Sequence, residues 1–148
     1  MTQNEKDLLL KDLCGRLPYG VKILTYASDD FYDPSSIETL YEIDRDGYIS
    51  TVESDTLRPI GKPYLFPLSS ISEDQKYDFY CRFIKNDCNF DDFKKFYLYN
   101  GMWRRKLLTF TSLYDIEAII DWFHKNHIDY RDLIPMGLAI DATELNIY

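Results

Sequence analysis

The sequence predicts an α+β fold, with an N-terminal helix, a small antiparallel β-sheet in meander order, and C-terminal helices packed on it. Three observations predict it. A capped, periodically apolar segment opens the chain. Short β-rich runs separated by turn dipeptides occupy the stretch from Val21 to Pro67. Capped segments with helical spacing dominate from Ser72 onward.

Thr2 and Glu5 form a T-x-x-E capping box, and Leu10, Leu13, Cys14 and Leu17 fall at i, i+3, i+4 and i+7. Pro18-Tyr19-Gly20 ends that helix. Val21–Ala27 reads as a strand, followed by a polar loop over 28–36 containing Asp33-Pro34-Ser35-Ser36. Residues 37–54 read as a hairpin about Asp46-Gly47, a dipeptide suited to a two-residue turn. That register sets Tyr41 opposite Val52 and Ile43 opposite Ser50, with Ile37 and Thr39 on the same face. Glu38, Glu42, Asp44, Thr51 and Glu53 then point the other way. Leu40 and Ile49 share this second face, which leaves the alternation good but not clean.

Arg58-Pro59, Lys62-Pro63 and Phe66-Pro67 bracket a short extended segment whose prolines predict an edge strand. Ser72 and Gln75 cap a helix running to about Asn86 through Tyr77, Tyr80 and Ile84. Over 89–106, Phe90, Phe93 and Phe96 suggest a short helix, while Asn100-Gly101 suits either a helix end or a hairpin turn. Ser112 and Asp115 cap the next helix, with Ile116, Ile119, Ile120 and Phe123 as its core stripe. Asp129–Met136 is expected to form one helical turn stopped by Pro135 and Gly137, ahead of a short apolar Leu138–Ile140. No internal repeat or linker marks a second unit, so 1–148 is expected to be a single domain.

At 148 residues the chain can bury enough surface to fold without a disulfide or metal. Its 13 Tyr and 9 Phe are unusual, and Tyr suits half-buried and interface positions because an apolar ring carries a polar tip. MTQNEKDLLLKDL carries acidic residues and no long apolar run, so no signal peptide or membrane anchor is expected. Cys14, Cys81 and Cys88 are odd in number and lack C-x-x-C spacing. They are expected to be buried or half-buried thiols in a reducing cytoplasm.

The net charge of −8 is concentrated. Residues 29–55 hold nine acidic side chains against Arg45 alone, a balance of −8. Of the 25 acidic and 17 basic residues in the chain, 16 of each therefore lie elsewhere and cancel. Such a field disfavours nucleic-acid phosphates and attracts a basic partner. Asp29, Asp30, Asp33, Glu38, Glu42, Asp44 and Glu53 are accordingly the candidate partner-binding residues.

Each chemical motif has a plain structural counterpart. Glu42–Glu53 resembles an EF-hand loop, with Asp44, Asp46, Gly47 and Glu53 at ligand or turn positions, and such a loop would make this a calcium-modulated module. Against it stand Glu42 at the first position, Pro59 and Gly61 where an exiting helix should run, and the lack of a second loop. A hairpin explains Asp46-Gly47 without a metal. His124 and His127 lack H-E-x-x-H spacing and suit a helix C-terminus, where the dipole favours cations. Lys94, Lys95, Arg104, Arg105 and Lys106 lie among aromatics, the composition of a single-strand nucleic-acid site. The cluster is small and stands beside Asp91 and Asp92, so it suits the acidic segment or solvent equally well. No G-x-S-x-G, Walker A or G-x-G-x-x-G pattern is present. No catalytic residue, metal or cofactor is assigned.

Three blocks of the sequence carry a resemblance. Lys11-Asp12-Leu13-Cys14 with Arg16-Leu17-Pro18-Tyr19-Gly20-Val21 comes first, then Lys62-Pro63-Tyr64-Leu65-Phe66-Pro67-Leu68-Ser69-Ser70. Asp121-Trp122 followed by Asn126-His127-Ile128-Asp129-Tyr130-Arg131-Asp132-Leu133-Ile134 closes the set. Together they resemble a family of small proteins from gut anaerobic bacteria, their phages and mobile elements. The resemblance implies a setting rather than a reaction. The leading expectation is a non-catalytic binding or regulatory protein acting through a protein partner, off the membrane. The alternative is a small enzyme with a cleft near Asp129, Tyr130 and Arg131.

Overall fold

A computed structural model describes residues 1–25, 36–44, 46–86, 88–98 and 113–148. The chain opens with α1 (Gln3–Arg16), whose first turn is closed by the Thr2–Glu5 capping box. A 3₁₀ turn over Leu17–Tyr19 carries proline at its start and ends on Gly20, whose φ of 63° is the left-handed conformation glycine adopts without strain. Four strands follow, β1 (Lys22–Thr25), β2 (Ser36–Ile43), β3 (Tyr48–Thr51) and β4 (Ser54–Pro59), each antiparallel to the one before. This is the expected meander. The chain then returns as β5 (Lys62–Pro67) to pair with the far side of β1.

Beyond the meander the sheet departs from the antiparallel expectation. β6 (Ile128–Asp129) and β7 (Ile140–Asp141) both run parallel to β5, so the sheet is mixed. β5 is an interior strand and not the edge that its prolines suggest, because its neighbours share it in pieces. β1 pairs at Lys62 and Pro63, β7 at Tyr64 and Leu65, and β6 at Phe66 and Pro67. The two prolines therefore sit near its ends, where fewer ladder hydrogen bonds are asked of them.

Between the first and last blocks, Ser72 and Gln75 form the capping box of α2 (Glu73–Phe83). α3 (Phe90–Asp92) is capped by Asn89 and widens into a π-helical stretch over Phe93–Leu98. α4 spans Leu113–Lys125. The Asn100-Gly101 turn and the Ser112 cap lie outside the described residues.

Two apolar clusters hold these layers. Leu9 and Leu13 of α1 pack on Ile23, Leu40, Ile49 and Leu65 of the sheet. Phe79, Phe93, Ile119, Trp122, Phe123 and Tyr130 form an aromatic cluster among α2, α3 and α4, and Phe79 alone meets four other rings at 5.0–5.9 Å. Ile119 and Phe123 of the expected α4 stripe are buried. The α1 stripe turns out differently. Leu9, Asp12, Leu13 and Arg16 are its buried face, while Cys14 is exposed. An i, i+4 ion pair takes the place of two apolar residues, and counting apolar spacing alone misses that.

The hairpin shifts register. Leu40 faces Thr51, Glu42 faces Ser50 and Ile43 faces Ile49, with a bulge at Tyr41. The loop is longer than two residues. Gly47 donates its amide to the Asp44 carbonyl and adopts φ 80°, while Asp44 pairs with Tyr48. The Asp44 carboxylate drives this by accepting the amides of Asp46 and Tyr48 at 2.9 and 2.8 Å. Consequently the Leu40–Ile49 face is the buried one, and Ile37 and Tyr41 face outward.

Residues 129–136 also depart from the expected helical turn. Ile128 and Asp129 are strand, the Asp129 carboxylate accepts the amides of Arg131, Leu133 and Ile134, and a helical-type turn is confined to 132–136, where the Met136 amide donates to the Asp132 carbonyl.

Gly61 sits where β5 meets β1, and a Cβ there would lie 2.0 Å from the Leu24 carbonyl oxygen. Gly61→Ala is expected to cost about 1–3 kcal/mol, since backbone rather than a flexible side chain must move. Urea unfolding checks this, and an unchanged midpoint would show that the two strands separate freely.

Candidate functional site

The acidic segment does not present its carboxylates uniformly. Asp29, Asp30 and Asp33 lie outside the described residues. Glu38 is buried, and its carboxylate accepts from Ser36, Thr25, Thr51 and Arg58, the last at 2.9 Å. Burial opposes its charge, but the three hydroxyls and the Arg58 guanidinium outweigh that and hold its pKa at about 2. Glu38 is therefore a structural node beneath the sheet, with no acceptor turned to a partner. Asp44 is occupied by its own turn. Glu53 accepts from the Thr39 amide at 2.8 Å and its hydroxyl at 3.1 Å, which with Lys22 lowers its pKa against the opposing effect of burial. Glu42 and Asp46 are exposed. In the EF-hand-like segment, then, Asp44 and Glu53 serve the hairpin and its neighbouring turn.

Asp129, Tyr130 and Arg131 belong to a different place. Asp12 and Arg16 are fully buried on α1, with Arg16 Nε 2.6 Å from the Asp12 carboxylate. Arg16 also donates to the Ile128 carbonyl at 2.8 Å. Arg131 Nε lies 3.2 Å from Asp12 and donates to the Tyr130 hydroxyl at 2.9 Å. That hydroxyl shares a 3.1 Å hydrogen bond with His124. His124 reaches this seam because Gly15 leaves room on α1, where a Cβ would lie 2.2 Å from its ring. The three cavities described, the largest lined by Pro67, Ser69, Ser70, Asp141 and their neighbours, are lined by other residues. This network joins the first and last sequence blocks, a link repeated on the surface by Tyr19 and Asp121.

Both histidines differ from the helix-dipole expectation. Burial, with the Arg16 charge second, pushes His124 and His127 down to about 4, so each is neutral at pH 7. His127 lies against the Tyr148 ring at 3.9 Å. Among the described residues no three His, Cys, Asp or Glu side chains converge as metal ligands. Of the basic–aromatic cluster, Lys94 pairs with Glu73 and Asp91 and lies over the Phe90 ring, while Arg104, Arg105 and Lys106 lie outside the described residues.

What faces solvent is the other side of the hairpin sheet. Ile37, Tyr41, Tyr48 and Leu57 alternate with the buried Glu38, Leu40, Ile49 and the inward-bonded Arg58, and so lie on the outer face of β2, β3 and β4. Val52 borders them at the β3–β4 turn. Tyr41 and Val52 are 65% and 66% exposed. Sequence patterning grouped Ile37 with Tyr41 and Leu40 with Ile49, but apolar residues stand on both faces, so alternation alone does not say which one is core. Among the described residues no helix is long and apolar enough to cross a membrane. In comparison with known proteins, the chain matches no family model, no curated protein and no solved structure.

Proposed function

We propose that this is a non-catalytic binding protein that acts by holding another protein against the outer face of β2, β3 and β4. The observation that carries this reading is that Ile37, Tyr41, Tyr48 and Leu57 are exposed on three adjacent strands, with Val52 exposed at the turn beside them. Single exposed apolar residues are ordinary, but several on one rigid sheet face are the signature of an interaction surface. The chain's titratable side chains support the same reading, because Asp12, Arg16, Glu38 and Asp129 are buried in internal bonds that brace the fold. The block resemblance supplies the setting of gut bacteria and their mobile elements.

A Tyr41→Glu, Val52→Glu double variant tests it. Both positions are exposed, so the thermal midpoint is expected to stay close to that of the parent chain. Cross-linking in a lysate of the organism that carries the gene should give an adduct with the parent chain and lose it with the double variant. Identical adducts from both proteins would remove the outer face from the reading.

A further inference from the structure

Resting on that reading, we infer that the partner of the outer face is a foreign polypeptide segment with apolar side chains flanked by Lys or Arg. Three structural facts converge on that chemistry. The apolar part comes from Tyr41, Val52, Ile37 and Leu57, which ask for aliphatic or aromatic side chains in return. The exposed charge around them is mainly acidic, with the half-buried Lys22 bonded to Thr39 beside Glu53. Glu42, Asp46 and Glu53 are exposed at this hairpin and its turns. The sole cation within β2, β3 and β4, Arg58, is turned inward and bound to Glu38.

Glu53 is also held in place. The Thr39 amide and hydroxyl fix its carboxylate beside the outer face, leaving lone pairs for an incoming cation with little side-chain freedom left to lose. The long-range field has the same sign, since residues 29–55 carry the whole net charge of −8. A second copy would bring the same charge to the contact, and nucleic acid would bring phosphates. Both are opposed, while a basic segment is drawn in and then held by apolar contact.

A library of random short peptides displayed on yeast tests this without knowing the natural partner. Peptides are selected on the parent chain and counter-selected on the Tyr41→Glu, Val52→Glu variant, so only binders of this face remain. The expected survivors are enriched in Lys or Arg around an apolar centre. Their affinity should fall about tenfold from low salt to about 0.5 M NaCl. Glu42→Gln, Glu53→Gln should weaken them similarly, while the glutamine amide oxygen at position 53 still accepts from the Thr39 amide. Survivors that are neutral or acidic and insensitive to salt would overturn the inference yet leave the face a binding surface. A selection yielding no binder that depends on Tyr41 and Val52 would overturn both. Sedimentation showing a dimer of the parent chain that Tyr41→Glu abolishes would assign the face to a second copy, and the inference would again fall.

Discussion

Asp12→Ala is expected to lower the unfolding free energy by about 3–5 kcal/mol, the range for removing one member of a buried ion pair. Asp12 is the acceptor at the seam between α1 and the C-terminal segment. Arg16, fully buried beside it, would lose its one carboxylate partner among the described residues, and Arg131 and His124 lie 3.2 and 3.8 Å from Asp12. The loss comes mainly from the uncompensated guanidinium rather than from the attraction removed, which gives the prediction a second arm. Asp12→Leu combined with Arg16→Met takes both charges out together and should recover a large part of the stability. Chemical unfolding of the three proteins measures this. Asp12→Ala within about 0.5 kcal/mol of the parent chain would show that water reaches the pair and screens it.

Stability should also fall steadily from about pH 6.5 toward acid. In the folded chain His124 and His127 take up a proton only near pH 4, whereas the unfolded histidines do so near 6.5. Between those values the unfolded state binds more protons, so each step down in pH favours unfolding. Nothing offsets this at His127, whose Nδ1 is buried without a hydrogen-bond partner among the described residues. Glu38 extends the slope. Its carboxylate, held at about 2 against an ordinary 4.5, contributes stability above pH 4.5 that disappears as pH falls through 2. Thermal midpoints between pH 7.5 and 4.5 should therefore decline, and replacing both histidines with glutamine should flatten that part of the curve. A flat profile for the parent chain would mean that both rings accept protons without opening the fold.

These predictions depend on residues whose importance was unevenly visible in the sequence. Local features were plain. The Thr2–Glu5 and Ser72–Gln75 boxes, Gly20 at the end of its turn, and Ile119 and Phe123 of α4 all follow from interactions within about one helical turn. The meander was legible for a similar reason, since short β-rich runs joined by tight turns pair with their neighbours. The charge asymmetry of residues 29–55 required only counting.

Tertiary structure decided the rest, and each case has one cause, a partner far away in the chain. Asp12 and Arg16 look like surface charges until Ile128 and Arg131 close over them and take up most of the pair's hydrogen-bonding groups, Arg16 Nη1 being buried without a partner among the described residues. Glu38 looks as available as Glu42 until Thr25, Thr51 and Arg58 converge on it. The proline-bearing β5 becomes interior because three different strands each take part of it. The bulge at Tyr41 decides where Ile43 goes, onto the core side with Leu40. Side chains alternate with a period of two, so one extra residue exchanges the faces. From the sequence alone came an α+β chain with its net charge in one segment. Which side of that segment is core, and which side presents apolar side chains and carboxylates to solvent, was settled by how β2 and β3 pair in space.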